Sequence, residues 1–562
     1  MSANALLIDG LIIVLYFVLI TAVGLYMGRR EPDLEEYALG GRRLPWWAVM
    51  ASIIAAETSA ATFMGAPAEG YATRGLTYVQ LTLGLILGRV LVGQIFLRPY
   101  YVYRVYTVYD YLALRFGTWT KNYISALFLV MRVLASGVRL YVPSLVMVLA
   151  WRLFVAGEDV QYRQLDSWLP YAYAILALTA VTCVYTMLGG IKAVIWTDVI
   201  QAALMFSSAL IAIGSLLLHV GGGSFLDGLR AVAEHVPEMT RTDGYFLTGL
   251  ERVEPGMSPW DLVKVILENK YTLPAALIAT TFLNMAAFGT DQDMVQRMLT
   301  APDYRRSRRS LIAAALMDVP IAAAFTFIGV LLIAFYARHP ELRPAKANDV
   351  FGVYILSVMP VFVRGFVLAG VFATAMGSLS AALNALATSA TNDWYIPYFA
   401  RGRSGRHHVV AARVFTGVFA ALMVGIATAF AYVNVRNPQL TIIPVALGIA
   451  GYILGPMLGV FLLGMLTKRR GSDAGNLVAV TAGLLAIFVA SGRSFDLIDA
   501  VFPAAAPSMP AWLPRIEFTW YAMIGALATL AIGLLFPTPG DALAAARRRD
   551  QVLAERRSAQ CA

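Results

Sequence analysis

The sequence predicts an all-α polytopic membrane protein, and two observations carry this prediction. The first is composition: the 562 residues are 59% hydrophobic and only 14% charged, with a mean hydropathy of +0.67. No water-soluble chain of this length hides so much apolar surface, whereas a bilayer supplies an apolar solvent. The composition therefore argues against a soluble enzyme, a nucleic-acid-binding protein and a disordered scaffold.

The second observation is a series of apolar runs, each able to cross about 30 Å of hydrocarbon with about 20 residues. The runs alternate with polar connections that contain proline and glycine. They lie near residues 5–27, 44–73, 77–97, 122–154, 169–188, 192–219, 270–296, 309–337, 353–391, 409–433, 440–466, 473–491 and 516–536. This pattern predicts about thirteen transmembrane helices, with no soluble domain of ordinary size between them.

The basic residues predict the orientation of the chain. Its net charge is +10, and positive charge in a polytopic membrane protein collects in cytoplasmic segments. The first run has no basic residue before it, is followed by Arg29 and Arg30, and is too long for the core of a signal peptide. We therefore expect the N-terminus outside and the C-terminus in the cytoplasm of a plasma membrane, the inner membrane in a bacterium. The charge then reports orientation and gives no reason to expect a nucleic-acid partner.

Two segments outside the apolar runs are expected to be peripheral. Segment 221–269 reads as a long outer loop, and the tail 541–562 reads as a short, charged, solvated helix. Cys183 lies inside an apolar run and Cys561 lies next to the last residue, so no disulfide framework is expected.

The second run is not an ordinary membrane span. Glu57, Thr58 and Ser59 lie near its middle, and Gly65 and Pro67 follow within two to three turns. A charged side chain at that depth costs several kcal/mol unless it faces protein or a watery cavity. Glu57 is therefore a candidate site residue, and the alternative is a protonated, hydrogen-bonded packing carboxyl.

The ninth run consists largely of small and hydroxyl residues. Thr374 and Ser378 are four residues apart and share one helical face, where they can present oxygens to a neighbouring helix. The alternative is a packing face whose hydroxyls bond to their own backbone. A desolvated alkali cation needs several oxygen ligands, and an interrupted helix frees backbone carbonyls that hydroxyls can supplement. The second and ninth runs together predict such a cation site.

Catalytic and cofactor chemistry have much less support. The five histidines lie in loops or at the ends of runs and have no metal-ligand spacing. The sequence has no Gly-x-x-x-x-Gly-Lys-Ser/Thr loop, which argues against a nucleotide-driven pump. We expect neither an enzyme nor a bound cofactor, and Na+ is the expected coupling ion.

Five motifs together resemble the sodium/solute symporter family. They occur in the family's order, and the resemblance extends from the second run to slightly beyond the eleventh. The motifs are 55–71, 188–201, 289–297, 377–395 and 451–470.

The resemblance implies a leucine-transporter-type fold with two inverted repeats of five helices, flanked by extra helices. Its expected division is an N-terminal extra helix and loop at 1–40, a first repeat at 41–220 and an outer loop at 221–269. A second repeat would follow at 270–470, two C-terminal helices at 471–540 and the tail at 541–562. Interruptions at Glu57–Pro67 and around Asn284–Gly289 agree with a site between the repeats.

The resemblance also implies a sodium site. Its ligands would be the backbone carbonyls of Ala55, Thr58 and Thr374 and the hydroxyl of Ser378. Many family members carry a second hydroxyl residue where this chain has Gly377. Glu57, Ser59, Ser380 or water would complete the shell, or sodium would bind more weakly.

Two acidic residues receive separate interpretations from the resemblance. Glu57 would neutralise the cation or face a cationic substrate, and we favour the former. Asp198 would line the cytoplasmic sodium exit, and its alternative is a charge at a helix terminus or the membrane interface.

The residues that the fold would bring towards the substrate are Thr62, Phe63, Gln80, Asn284, Phe288, Asp291 and Gln292. Ala287 and Asp318 replace the contacts typical of sugar-transporting members, which makes a sugar less favoured. Three intramembrane arginines suggest an organic anion, with pairing to Glu57, Asp318 or lipid phosphate as the alternative. These arginines are Arg89, Arg132 and Arg139.

The predicted function is sodium-coupled uptake of a small polar organic solute, with an organic anion as one candidate, by alternating access. The partners would be this solute, sodium and the lipid bilayer, and the protein would be a monomer or a weak oligomer. Proton coupling in the same fold is the closest alternative because Glu57 can titrate. A membrane-embedded sensor and a passive channel are further alternatives, although residues 537–562 are too few for a signalling module and the polar residues do not repeat around a pore.

Overall fold

The computed structural model describes residues 3–28, 33–152, 167–237, 248–254, 256–344, 346–436, 442–494, 510 and 513–561. The described chain is helical, with a single isolated bridge between Arg470 and Pro537 as its β contact. The main helices are α1 (Ala3–Met27), α2 (Trp46–Glu57), α3 (Ala60–Thr73), α4 (Leu81–Ile95), α5 (Thr118–Arg139), α6 (Tyr141–Trp151), α7 (Leu169–Val220), α8 (Thr280–Gly289), α9 (Gln292–Met298), α10 (Tyr304–Arg338), α11 (Val363–Ser389), α12 (Gly405–Arg436), α13 (Ile442–Leu466), α14 (Asp473–Ala490), α15 (Tyr521–Gly533) and α16 (Gly540–Cys561).

Shorter helices connect or extend these elements. The short α-helices are Leu34–Leu39, Leu97–Val102, Val108–Arg115, Phe225–His235, Pro259–Glu268, Val350–Ser357 and Ile396–Phe399. The 3-10 turns are Gly40–Arg42, Thr77–Gln80, Pro340–Leu342, Ala347–Asp349 and Phe518–Trp520, and Ala275–Ala279 and Ala390–Tyr395 are π-helical. The predicted outer loop thus contains two short helices, and its residues 238–247 and 255 lie outside the described ranges.

The helices confirm an all-α membrane protein. In the described part of the chain, nine helices are long and apolar enough to cross a membrane, and the bent pair α2 and α3 would make a tenth. Helix α7 has 52 residues, about 78 Å if straight, more than twice the hydrocarbon thickness. Its backbone is non-helical at Gly190 (φ 53°, ψ −156°), between the two predicted runs 169–188 and 192–219. The total of thirteen spans stays a prediction.

The predicted run 353–391 is divided in the structure. A short helix ends at Ser357 and α11 begins at Val363, with Phe362 at a positive φ of 73° just before it. Asp9 of α1 accepts hydrogen bonds from the backbone N–H groups of Phe362 (2.8 Å) and Gly365 (3.1 Å). An acidic side chain from another helix therefore caps the start of α11, where unpaired N–H groups favour an anion.

Helix α11 forms the centre of the bundle. Within its apolar stretch 89% of the residues are buried, compared with 28% in α1, which lies at the periphery. Its alanine, glycine and serine residues allow neighbouring helices to approach closely. Gly370 packs against Ser208 of α7 in this way, because a Cβ at position 370 would lie 2.2 Å from the serine oxygen.

Both predicted interruptions have a counterpart in the structure, and the first is narrower than expected. Helix α2 ends at Glu57, Thr58 is extended (φ −79°, ψ 96°), and Ser59 caps α3 by accepting from the backbone N–H of Thr62 at 3.4 Å. The two halves meet at a bend of 66°. Pro67 lies inside α3 and does not cause the break.

The second interruption falls just after the predicted segment. Helix α8 ends at Gly289, and Asp291 caps α9 by accepting from the N–H of Asp293 at 3.0 Å. Each of these two broken helices therefore has a hydroxyl or carboxylate cap at the break.

Candidate functional site

The first break lies against the middle of α11, where the sequence predicts the cation site. A Cβ atom on Gly377 would lie 3.2 Å from the carbonyl oxygen of Ala55 and 2.8 Å from Oε1 of Gln201. The missing side chain therefore lets the end of α2, α7 and α11 converge on one point. The structure thus places the Ala55 carbonyl next to Gly377, the position where the resemblance predicts a second hydroxyl residue.

The predicted ligand residues of α11 lie on one stretch of the helix, and their side-chain hydroxyls bond to their own helix here. Thr374 donates to the carbonyl of Val371 (2.8 Å), Ser378 to Ala375 (3.1 Å) and Ser380 to Gly377 (3.1 Å). Such local bonds are weak and can be exchanged for a cation, because a hydroxyl oxygen keeps lone pairs when it donates. Thr374, Ser378 and Ser380 are therefore placed for a ligand role that remains a prediction.

Gln201 is a residue that the sequence reasoning did not single out. It is 1% exposed and lies beside the hydroxyls of Tyr16 and Tyr185, but neither its Oε1 nor its Nε2 forms a hydrogen bond of normal geometry within the described residues. An unpaired buried amide is costly, and this one faces the position that a hydroxyl at 377 would occupy. The sequence did contain a signal for it, because Gln201 lies three residues after the candidate residue Asp198 and therefore on the same face of α7.

Asp198 is wholly buried within the protein, and its role on the sodium exit path stays a prediction. Its Oδ2 accepts from the hydroxyl of Ser52 at 2.5 Å and lies 3.4 Å from a guanidinium nitrogen of Arg297. Its Oδ1 has no hydrogen-bond partner among the described residues. One carboxylate oxygen thus stays available beside the candidate cation site.

Ion pairs continue from Asp198 towards the second break. Arg297 Nη1 lies 2.7 Å from Asp293 Oδ1, and Arg132 Nη1 lies 3.2 Å from Asp293 Oδ2. Arg132 also pairs with Asp291, the cap of α9. All five charged groups are at most 7% exposed, so each depends on its partners for compensation.

Glu57 is directed away from α11. Its carboxylate pairs with Arg89 of α4, and Arg89 Nη1 also lies 2.8 Å from Asp318 of α10. This pairing was the alternative considered for Arg89. The geometry does not support Glu57 as a sodium ligand, because its carboxylate and the Ala55 carbonyl contact different neighbouring helices.

A cavity of about 590 Å³ opens beside the first break. This volume falls within the range of small-molecule sites. Four of the predicted substrate residues line it, namely Thr62, Asn284, Phe288 and Asp291, as do Glu57 and Asp318.

Phe63, Gln80 and Gln292 do not line this cavity. Phe63 is fully buried and packs on Phe325, with the ring centroids 4.8 Å apart. Gln292 instead ties α9 to the segment before helix Val108–Arg115, because its Oε1 accepts from the N–H of Val108 at 2.9 Å. Gln80 ends the 3-10 turn before α4.

Arg139 is the cavity arginine without a partner. It lines both the large cavity and a pocket of about 20 Å³ that Ser59, Ala60 and Ser378 also line. It makes no ion pair or hydrogen bond within the described residues, whereas Arg132 is held by two carboxylates. The N-terminus of α3, which begins at Ala60, adds positive potential to the same pocket.

Broken helices that meet a central small-residue helix beside a solute-sized cavity define the protein as a secondary transporter. The family model described as the sodium:solute symporter family matches residues 37–483. The chain belongs to that family.

Curated relatives cover nearly the whole chain. The sodium/sialic acid symporter SiaT of Proteus mirabilis is 26% identical over 92% of this chain and 92% of its own length. The sodium/glucose cotransporter of Vibrio parahaemolyticus is 26% identical over 91% and 88%, and the human sodium/iodide cotransporter is 25% identical over 92% and 73%. These relatives share one transporter class but not one solute.

A solved structure shares the fold. The substrate-bound outward-open state of a Na+-coupled sialic acid symporter matches with a TM-score of 0.73 and 23% identity, over 94% of this chain and 97% of that one. At this identity the match shows the fold alone, so the solute has to be argued from the cavity.

Proposed function

We propose that the protein couples inward Na+ movement to the uptake of a small organic anion by alternating access. The observation that carries the anion is Arg139, an intramembrane guanidinium that forms no ion pair or hydrogen bond within the described residues and lines a cavity at a broken helix. An intramembrane charge is costly unless it is compensated, and a carboxylate on the solute would compensate it with charge-assisted hydrogen bonds.

The proposed Na+ shell lies at the junction of α2, α7 and α11. It consists of the carbonyls of Ala55, Thr58 and Thr374, the hydroxyl of Ser378 and the side-chain oxygen of Gln201. Hard cations of this size prefer such oxygens at about 2.3–2.6 Å. The distances from the position of a Cβ on Gly377 limit the gap between the Ala55 and Gln201 oxygens to about 6 Å, which a small side-chain rotation closes.

Coupling would arise because Na+ and the solute both bind one conformational state of the protein more tightly than the other. Na+ at this junction fixes the angle between α2 and α3, and α3 carries the cavity residue Thr62 and the positive N-terminus beside Arg139. Asp198 and Ser380 would receive Na+ on its way to the cytoplasm. The orientation, with the N-terminus outside and the C-terminus in the cytoplasm of the plasma membrane, is part of this proposal.

Uptake into proteoliposomes tests the proposal. A Na+ gradient, a pH gradient without Na+, and no gradient are compared, with N-acetylneuraminate as one anionic probe because two relatives are sialic acid symporters. A carboxylate probe that accumulates only with the Na+ gradient supports the proposal. Accumulation driven by the pH gradient alone would establish proton coupling, and flux without accumulation would establish a passive channel.

A further inference from the structure

Two carboxylates in the cavity wall share one arginine. Glu57 of α2 and Asp318 of α10 both contact Arg89 of α4, and the Arg89 guanidinium stacks 3.9 Å from the ring centroid of Phe288. When both acids are ionised, this group has one negative charge in excess. An uncompensated charge in a desolvated wall is strongly unfavourable.

The negative side of this group faces the cavity. Arg89 is 0% exposed and does not line the cavity, whereas the side chains of Glu57 and Asp318 are 27% and 9% exposed and do line it. The Oδ2 atom of Asp318 is buried and is the atom that lies 2.8 Å from Arg89 Nη1. The arginine therefore compensates the pair from the side away from the cavity, and the excess negative charge of the two carboxylates remains on the side of the solute space.

Other cations of the cavity do not compensate the pair. Arg132 is engaged by Asp291 and Asp293. Lys270, which lines the cavity from the connection before helix Ala275–Ala279, forms no ion pair with Glu57 or Asp318 among the described contacts. The same holds for Arg139, which lies by Ser59 and Ala60 at the start of α3.

We propose that Glu57 and Asp318 bind a cationic nitrogen of the solute, so that the solute is a zwitterion whose carboxylate pairs with Arg139. This rests on the proposed function for its anionic half. A solute with both groups would leave neither Arg139 nor the acidic pair uncompensated. The aromatic residues Tyr78, Phe288 and Phe325 also line the cavity, and aromatic rings attract ammonium groups.

The test compares matched ligands on the purified full-length protein. The probes are L-α-amino acids, γ-aminobutyrate and glycine betaine, each paired with the carboxylic acid of the same skeleton without nitrogen. Binding is read from thermal stabilisation in Na+, with choline replacing Na+ as the control. We expect at least one zwitterion to bind tenfold or more tightly than its matched acid, about 1.4 kcal/mol.

Two substitutions test whether Glu57 and Asp318 cause this preference for the zwitterion. Asp318→Asn and, separately, Glu57→Gln should reduce this preference, which is the ratio of the affinity for the zwitterion to the affinity for its matched acid, by about tenfold. The second variant covers the case in which the first does not fold, and size-exclusion profiles identify such a failure. A preference that survives in both folded variants overturns the inference.

The outcomes separate this inference from the proposed function. If the matched acids bind as tightly as the zwitterions, the cationic site is overturned and the anion transporter stands; a proton shared by the two carboxyls would then offset the excess charge. If amines without a carboxylate bind and carboxylates do not, the anionic half is overturned. If no probe binds in Na+, both proposals are overturned.

Discussion

A Cβ atom on Gly377 would lie 2.8 Å from Oε1 of Gln201. The glycine and the buried, unpaired amide therefore occupy adjoining space, and the amide oxygen stands where a serine hydroxyl would otherwise point. This relationship explains how the chain can lose a hydroxyl at the junction of α2 and α11 and still offer an oxygen there.

The substitution Gln201→Ala should raise the half-saturating Na+ concentration about tenfold, equivalent to about 1.4 kcal/mol. Adding Gly377→Ser to that variant should restore most of the affinity, because the alanine leaves room for the new hydroxyl. Na+-dependent thermal stabilisation measures both. Unchanged Na+ affinity in Gln201→Ala would remove the amide from the shell.

Loss of the Ser378 hydroxyl should also weaken Na+ binding. Ser378→Ala removes a ligand oxygen but no volume that the packing of α11 needs, so we expect a several-fold higher Na+ requirement for uptake with a nearly unchanged Tm. Ser207→Ala is the control, because Ser207 is half-buried on α7 and likewise donates to its own helix, at 2.9 Å from the Ala203 carbonyl. Equal Na+ dependence in the two variants would argue against Ser378 as a ligand.

Asp198→Asn should slow Na+-driven turnover more than it weakens solute binding. Arg297 keeps its 2.7 Å ion pair with Asp293 in this variant, so the buried guanidinium is not left alone and the fold should persist. The maximal uptake rate and the solute affinity, measured over a range of Na+ concentrations, separate the two effects. A loss confined to solute affinity would place Asp198 outside the exit path.

Arg139 and Arg132 should respond differently to removal of their charge. Arg139→Gln breaks no ion pair, so the Tm should be nearly unchanged while binding of a carboxylate probe falls at least tenfold. Arg132→Gln leaves Asp291 and Asp293 without this partner, and a broken buried pair costs about 3–5 kcal/mol. Tm and probe binding are measured on both, and retained probe affinity in Arg139→Gln would contradict the proposed anion site.

Composition and residue spacing were sufficient to predict the membrane fold and the two broken helices. Apolar runs of this length directly indicate burial in lipid. A carboxylate next to hydroxyl residues within such a run indicates an interrupted helix, and Glu57 and Ser59 do lie at the first break. The direction in which each side chain points could not be predicted as well from the sequence. Residues 55 and 57 are neighbours in sequence, yet the Ala55 carbonyl approaches α11 while the Glu57 carboxylate turns to Arg89.

The residues that sequence reasoning missed or misplaced depend on tertiary contacts. In the sequence, Gln201 is one polar residue in a long helix. Its link to the candidate cation site follows only from the structure, which places it next to Gly377. Phe63 and Gln292 lie in motifs of the family, but packing turns them into the protein and away from the cavity. The finding that Arg139, unlike Arg132, forms no ion pair within the described residues likewise follows only from the positions of the acids.

The position of α3 depends on a reciprocal pair of glycine contacts with α10. A Cβ on Gly329 would lie 2.0 Å from the carbonyl oxygen of Pro67, and one on Gly70 would lie 2.2 Å from that of Thr326. Both obstacles are backbone atoms, which cannot move without shifting a helix. Gly329→Ala should therefore force the two helices apart and lower the Tm by roughly 5 °C or more, since 1 kcal/mol corresponds to about 2–4 °C in larger domains.

The matched control for this substitution is Gly425→Ala in α12, where a Cβ would meet nothing within 4 Å. Alanine is the better helix former by about 1 kcal/mol, so this variant should have an unchanged or slightly higher Tm. Because α3 carries Thr62 and the positive helix end beside Arg139, Gly329→Ala should also weaken binding of a carboxylate probe, and Gly425→Ala should not. Equal Tm values for the two variants would show that α3 and α10 separate without cost, and α3 would then not be fixed by this contact.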